Sequence, residues 1–501
     1  VSFGPPPSMY TESALAADKT RQKRRRRVLR TAAASAAAAL CVGAGLLWYQ
    51  AGDKGTGGAT PVAAHQALDE VRETVEKAPV SPEGQIVTQH NEEKLSKNTE
   101  TNPRYAPGAW ATRKIIARGV ANRIEGYKIE PTYDEKAWTL KLAGHICATS
   151  RDVTADGRTA VVIQPPKAKG AKTEGVCDQV VFLDLDTGRK LWQEKMPSAD
   201  FAYVTNTNLT LTKGVVAVAW GHGSVAYDMK TGKRLWNTTT VSQCHDKGFA
   251  GGRALLALVA CGEESDAAYR VEKLDPRTGK TRWTYKLADG VQDVHLPSSD
   301  PPVLAVSAGD SETTDLITLD ADHGKRLATI SMGGYEPKCG KRYSFAGYFG
   351  TVEDCDGLVV GRDRLYVMSK EQTDIKQPSD WIVAFDVDKG TSVGKFEGRP
   401  FQMVVPLRTS GDDLLVYRSS IDTVQPAAVV SWNPRTDKET PYLLFKLPED
   451  DEYDLSDPEK TEITYEQGNV FFSPRELARD DDHPTYPVLS VLGVGTAGLK
   501  H

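Results

Sequence analysis

Three hydrophobic patterns divide this chain. From about Trp138 onward, short apolar runs end in clusters of Asp, Gly, Asn and Lys, the pattern of half-buried strands joined by tight turns. Upstream, TAAASAAAALCVGAGLLWY (Thr31–Tyr49) is apolar without a charge, and Pro61–Lys77 carries a stripe at Ala64, Leu68, Val71 and Val75. The first pattern repeats. FLDLDTGRKLW (Phe182–Trp192), AYDMKTGKRLW (Ala226–Trp236) and KLDPRTGKTRW (Lys273–Trp283) are near copies. TLDADHGKRLA (Thr318–Ala328), AFDVDKGTSVG (Ala384–Gly394) and SWNPRTDKETP (Ser431–Pro441) are worn ones. The lead residue falls at 184, 228, 275, 320, 386 and 433, so most intervals are 44 to 47 residues and one is 66. Strand-and-turn repeats of this length predict a β-propeller.

Each copy predicts a strand, a turn and a returning strand. The lead Asp can accept backbone N–H groups two residues on, and Gly188, Gly232, Gly279, Gly324 and Gly390 can take the left-handed conformation that closes the turn. Trp192, Trp236 and Trp283 return in the next strand, where a flat ring can dock on the neighbouring sheet; Trp138 in KAWTLKL (Lys136–Leu142) is expected to do the same. The last unit lacks such a strand before His501. The spacing therefore predicts that Lys136–Leu142 closes the final sheet of a seven-bladed, all-β propeller of four-stranded blades. Eight blades is the alternative count, because Ile115–Tyr133 and the acidic stretch after Pro448 can hold another degraded unit.

The phrase D-x-x-T-G-K-x-x-W resembles the repeat of PQQ-binding-like, quinoprotein-type β-propellers from about Trp138 to the C-terminus. That family includes quinone-dependent alcohol dehydrogenases, the propeller lipoprotein of outer-membrane assembly machinery and extracytoplasmic sensor domains of bacterial kinases. The dehydrogenases usually carry an adjacent Cys-Cys disulfide beside the cofactor. This chain has no such pair, so the resemblance implies a non-catalytic member without a cofactor.

Charge and cysteines bear on location. Residues 1–30 hold eight Lys or Arg against Glu12 and Asp18, in a chain of net charge −5. Followed by residues 31–49, this basic tail predicts a cytoplasmic N-terminus, one transmembrane helix and a propeller outside the cell membrane. A cleaved twin-arginine signal around RRRVLR (Arg25–Arg30) is the alternative. The basic run is expected to meet anionic lipid, not nucleic acid. Six cysteines fall in pairs within repeat units: Cys147 and Cys177, Cys244 and Cys261, Cys339 and Cys355. Nearest-neighbour disulfides are the economical pairing, and their spacings lack the form of a zinc site. Residues 50–109 are expected to form a flexible stalk with a short helix over 61–77, leaving 110–501 as the propeller.

Catalytic motifs are weak. GVGTAG (Gly493–Gly498) has no helix to follow it, GKT (Gly279–Thr281) sits in a hairpin, and AVSAG (Ala305–Gly309) leads into a strand. The DLDTG-like turns lack the closing Glu of a calcium loop, and the acidic run Asp451–Glu459 reads as a solvated loop. His145, His222, His245, His295, His323 and His483 stand alone in sequence. The expectation is a binding or scaffold protein with an envelope protein or small ligand as partner. A ligand sensor acting through a separate effector, or a PQQ-dependent oxidoreductase, are the alternatives. The irregular insertions Lys167–Gly175, Glu371–Asp380 and Pro448–Lys460 are the candidate binding surfaces, with no catalytic or metal residue assigned.

Overall fold

The structure is a computed structural model. It describes residues 66–92, 104–129, 135–167, 175–239, 243–262, 267–309, 312–340, 352–370, 380–400, 402–420, 425–448, 452–479 and 486–496. Eight antiparallel four-stranded sheets follow one another along the chain. Blade 1 comprises Ala109–Ala111, Ile115–Val120, Arg123–Lys128 and Lys136–Lys141. Blades 2 to 7 follow over 145–195, 208–239, 244–286, 291–331, 358–397 and 404–445. Blade 8 takes Thr461–Glu466, Asn469–Pro474 and Leu489–Thr496 from the C-terminal end and Gly84–Asn91 from far upstream.

The count is therefore eight, not seven, and the closing strand is not Lys136–Leu142. Trp138's strand pairs with Arg123–Lys128 inside blade 1, whose second and third strands lie in Ile115–Tyr133, the segment that looked like a degraded unit. Gly84–Asn91 closes the ring antiparallel to Leu489–Thr496, from Gly84 opposite Thr496 to Asn91 opposite Leu489. In GQIVTQHN only Ile86 and Val87 are apolar. An outer strand with one face in water needs no more, so this segment read as polar stalk. The predicted helix over 61–77 is also not formed in its described part: residues 67–70 make a turn, with Glu70 N–H on Ala67 O at 3.1 Å, and Val71 bridges Thr154, while residues 61–65 lie outside the described residues. Leu68 and Val75 of the supposed apolar stripe are exposed. Among the described residues no helix is long and apolar enough to cross a membrane; residues 1–49 lie outside them.

The repeated phrase joins one blade to the next. Asp184 accepts the N–H and hydroxyl of Thr187 at 2.9 and 2.8 Å, and Asp228 and Asp275 do the same for Thr231 and Thr278. The indole of Trp138 donates to the Leu185 carbonyl in blade 2 at 3.1 Å, Trp192 to Met229 at 2.8 Å, Trp236 to Pro276 at 2.8 Å and Trp283 to Ala321 at 2.9 Å. Each ring lies against the turn glycine of the following blade. A Cβ at Gly188 would stand 2.3 Å from Trp138, and one at Gly324 would stand 2.4 Å from Trp283. Both glycines have positive φ, so no side chain is tolerated there on either account. Where the Trp is lost, Gly390 faces Ala328 instead. The core is a ring of clusters between neighbouring blades, closed by Ala111, Ile116 and Tyr127 of blade 1 against Phe471 and Val491 of blade 8.

Replacing one clamp tests this packing. Trp236 is half-buried and meets Phe249 edge-on at 6.0 Å. Trp236→Ala is expected to lower stability by about 2 kcal/mol in chemical denaturation, through lost ring contacts and the orphaned Pro276 carbonyl.

Candidate functional site

The first strands of neighbouring blades touch around the axis and leave a channel. One segment of the chain itself enters it and a second lies across one face, and neither was legible as such in the sequence. The first is an insertion between blades 5 and 6, the origin of the 66-residue interval. Val352–Asp356 returns from it into the axis, tied by the disulfide Cys339–Cys355. Val352 is fully buried against Gly248, and its carbonyl accepts Leu296 N–H at 2.6 Å. The Glu353 carboxylate accepts the Gly251 N–H at 2.6 Å and the Thr210 hydroxyl at 2.9 Å. Arg151 donates to the Glu353 carbonyl at 2.8 Å, and Arg475 donates to Asp356 at 3.1 Å. One short segment thus touches blades 2, 3, 4, 5 and 8.

Burial dominates the electrostatics of this plug. It pushes the Glu353 carboxyl up to about 8, and the Asp152 charge adds to the rise against the Gly251 N–H, Arg151 and Thr210. Asp152 is raised for the same reason, with Arg151 opposing. Arg151 stays above its ordinary value because Asp152, Asp354, Glu353 and Asp356 outweigh its desolvation.

The second segment is a strap, residues 66–77, laid across the face made by the turns between first and second strands. Asp69 O accepts Gly214 N–H of blade 3 at 3.0 Å, and Glu70 O accepts Ala155 N–H of blade 2 at 2.8 Å. Arg72 donates to Ala111 O of blade 1 at 2.5 Å and pairs with Glu466 of blade 8 at 3.4 Å. Glu73 bridges Arg253 of blade 4 at 2.5 Å and Arg362 of blade 6 at 3.1 Å. Burial would raise Glu73, but the two guanidiniums together hold it below the usual carboxylate range. Glu76 pairs with Arg408 of blade 7 and accepts the N–H groups of Gln467 and Gly468 at 2.8 and 3.1 Å. Seven of the eight blades hold this strap. Between strap, plug and the first strands of blades 1, 7 and 8 lies a cavity of about 320 Å³, lined in part by Arg72, Trp110, Arg151, Arg408 and Arg475.

The cysteines pair as Cys147–Cys177, Cys244–Cys261 and Cys339–Cys355. Only the last belongs to the channel. Lys167–Gly175 and Glu371–Asp380 lie almost wholly outside the described residues. In the third insertion, Glu452–Ser456 forms a short helix, and its carboxylates are taken by lysines: Asp454 by Lys460 at 2.6 Å and Glu459 by Lys338 at 2.9 Å. Among the described residues no group of three or more His, Cys, Asp or Glu side chains could hold a metal ion. His295, isolated in sequence, meets Asp293 at 3.1 Å beneath Gly340, and Lys247 approaches the same carboxylate at 3.1 Å. Burial would raise Asp293, but the hydrogen bond from His295 and the Lys247 ammonium hold it well below the ordinary range. Register could not reveal this group, since its members come from first strands of two blades.

A family model described as outer membrane protein assembly factor BamB matches residues 177–439, just over half of the chain. The chain belongs to this family of PQQ-like β-propellers. Similar solved structures include BamB from Moraxella catarrhalis, 12% identical over 79% of this chain and 99% of that one, TM-score 0.41. A quinohemoprotein alcohol dehydrogenase from Pseudomonas putida HK5 is 12% identical over 86% of this chain and 79% of that one, TM-score 0.49. A europium-containing methanol dehydrogenase is 12% identical over 82% and 95%, TM-score 0.44. No curated protein matches the chain.

The family's namesake cofactor can be tested against this axis. A tricarboxylate quinone needs free cations and a flat slot between apolar surfaces. Here the axial segment brings Glu353, Asp354 and Asp356 beside Asp152. Arg151, Arg408 and Arg475 are already bound to the chain's own carbonyls and carboxylates. The donor set does not fit the group.

Proposed function

We propose that this PQQ-like propeller is a non-catalytic binding scaffold, anchored in the cell membrane by residues 31–49 and displayed outside the cytoplasm. One observation carries the reading: the axis, where a propeller would hold a small molecule, is entered by the chain's own Val352–Asp356, held there by hydrogen bonds and the Arg475–Asp356 ion pair. The strap covers one face of the wheel. What remains for a partner is the opposite face, made by the loops that link one blade to the next. There Phe201 is 57% exposed and Tyr203 47%, both in the connection between blades 2 and 3. Aromatic side chains left in water on a rigid frame favour a protein partner, and the disulfides favour an oxidising compartment.

Photo-crosslinking from positions 201 and 203 of the full-length protein in intact cells tests the proposal. The same envelope protein is expected from both positions, and none from position 327 on the outer strand of blade 5. Quinone-dependent dye reduction by the purified protein, or a cytoplasmic protein as the crosslinked species, would overturn it.

A further inference from the structure

The three disulfides sit in different surroundings. Cys147, Cys177, Cys339 and Cys355 are between 1% and 7% exposed. Cys244 and Cys261 are only half-buried. They begin and end adjacent strands of blade 4, Cys244–Ala250 and Leu255–Cys261, and stand directly opposite each other. Arg270, on the third strand, places Nη1 at 3.4 Å from Cys244 Sγ and 3.2 Å from Cys261 Sγ. Its Nε is held by Glu272 at 2.6 Å, which fixes the guanidinium over the sulfurs. Asp246, whose carboxyl is raised by burial, accepts from Ser224 and Thr238.

A disulfide does not need a cation, but a thiolate does. A positive charge beside a sulfur stabilises its anionic form and makes it a better leaving group in thiol–disulfide exchange. Among the described residues neither of the other two pairs has a guanidinium on its sulfurs; there the contacts are to the carbonyls of His145 and Pro337. We propose that Cys244–Cys261 is a thiol–disulfide exchange site, with Arg270 as the positioning residue that stabilises the departing thiolate and a reduced dithiol as co-substrate. One thiolate of the dithiol attacks one sulfur, forming a mixed disulfide as the Cys244–Cys261 bond breaks. The electron pair of that bond goes to the departing sulfur, which rests beside Arg270 until it is protonated. The second thiol of the reductant then attacks the mixed disulfide. Two electrons and two protons pass to the protein, and the reductant leaves as a disulfide. The ladder between the two strands pairs them along their length, so the blade survives reduction.

The full-length protein, exposed under native conditions to graded dithiothreitol, alkylated at intervals and mapped by mass spectrometry, tests this. Cys244 and Cys261 are expected to be reduced about tenfold faster than either other pair. Arg270→Met is expected to slow that pair about tenfold and leave the others unchanged, whereas Arg270→Lys keeps most of the rate. Glu272→Gln, which keeps an acceptor oxygen for the Arg270 Nε–H but removes the negative charge beside it, is expected to quicken it. Circular dichroism of each variant reports whether the propeller is intact. Reduction of Cys244–Cys261 no faster than of Cys147–Cys177, or an Arg270→Met protein that is folded and exchanges at the native rate, would overturn the proposal.

Discussion

A chain shortened to residues 92–501 is expected not to form the closed wheel, while one spanning 66–501 does. The lost segment supplies the fourth strand of blade 8. Without Gly84–Asn91, the backbone of Leu489–Thr496 becomes an open edge, and Val491, Leu492 and Val494, all within 1% of full burial, lose one covering strand. Val87 and Thr88 are themselves buried in that strand. The strap goes with it, which strips Arg408 and Arg253 of Glu76 and Glu73 and leaves Glu466 with Arg408 alone, at 3.7 Å. Leaving a buried ion without its partner is far more damaging than never having built the pair. The sum is expected to exceed about 5 kcal/mol, the scale of a whole domain's stability. Size-exclusion chromatography and thermal circular dichroism check it: the shorter chain should aggregate or melt early. If it stays monomeric and melts with the longer one, the ring does not depend on its N-terminal closure.

That dependence also shows which parts of the molecule were legible in the sequence. The turn phrase was readable because its chemistry is local. Asp184 binds Thr187 three residues on, Gly188 takes its conformation from its own φ, and Trp192 follows in the returning strand. Six turns could be placed on these grounds alone. Closure is not local: Gly84 meets Thr496, and nothing in GQIVTQHN marks its partner. The missing copies of the phrase explain the miscount, since blade 1 has the indole of Trp138 without the Asp and Gly that precede it elsewhere. The apolar stripe of residues 64–75 misled for a related reason. The strap is held by Arg72, Glu73 and Glu76 against blades far along the chain, and its Leu68 and Val75 face water. Charged residues at a non-periodic spacing give no pattern for a periodicity argument to find. The plug left one trace, an interval of 66 with a cysteine pair inside it, but its acidic residues acquire a role only where Arg151, Thr210 and Gly251 converge.

Glu353→Gln is expected to make the protein more stable, and increasingly so as pH rises from 5 to 8. Burial and the Asp152 charge push the Glu353 carboxyl up to about 8, against 4.5 for the free group. Between those values the folded chain keeps a proton that the unfolded chain has released. Stability therefore falls as pH rises through this window, by up to about 1.4 kcal/mol per unit for one whole proton, and the loss is complete above the folded value. An amide retains the shape and the acceptor oxygen for the Gly251 N–H and the Thr210 hydroxyl, but it has no proton to lose. At pH 5 the two proteins should differ little. At pH 8 the variant should be more stable by on the order of 3 kcal/mol. Asp152, raised by its own burial, contributes a slope of the same sign that remains in the variant. Carboxylates held low, such as Asp293 and Glu73, contribute the opposite slope in acid, and it is common to both proteins. Urea denaturation at several pH values isolates the difference. Parallel pH profiles for variant and native protein would mean that Glu353 is ionised in the folded wheel, and that Arg151 and the Gly251 N–H, not protonation, balance its charge.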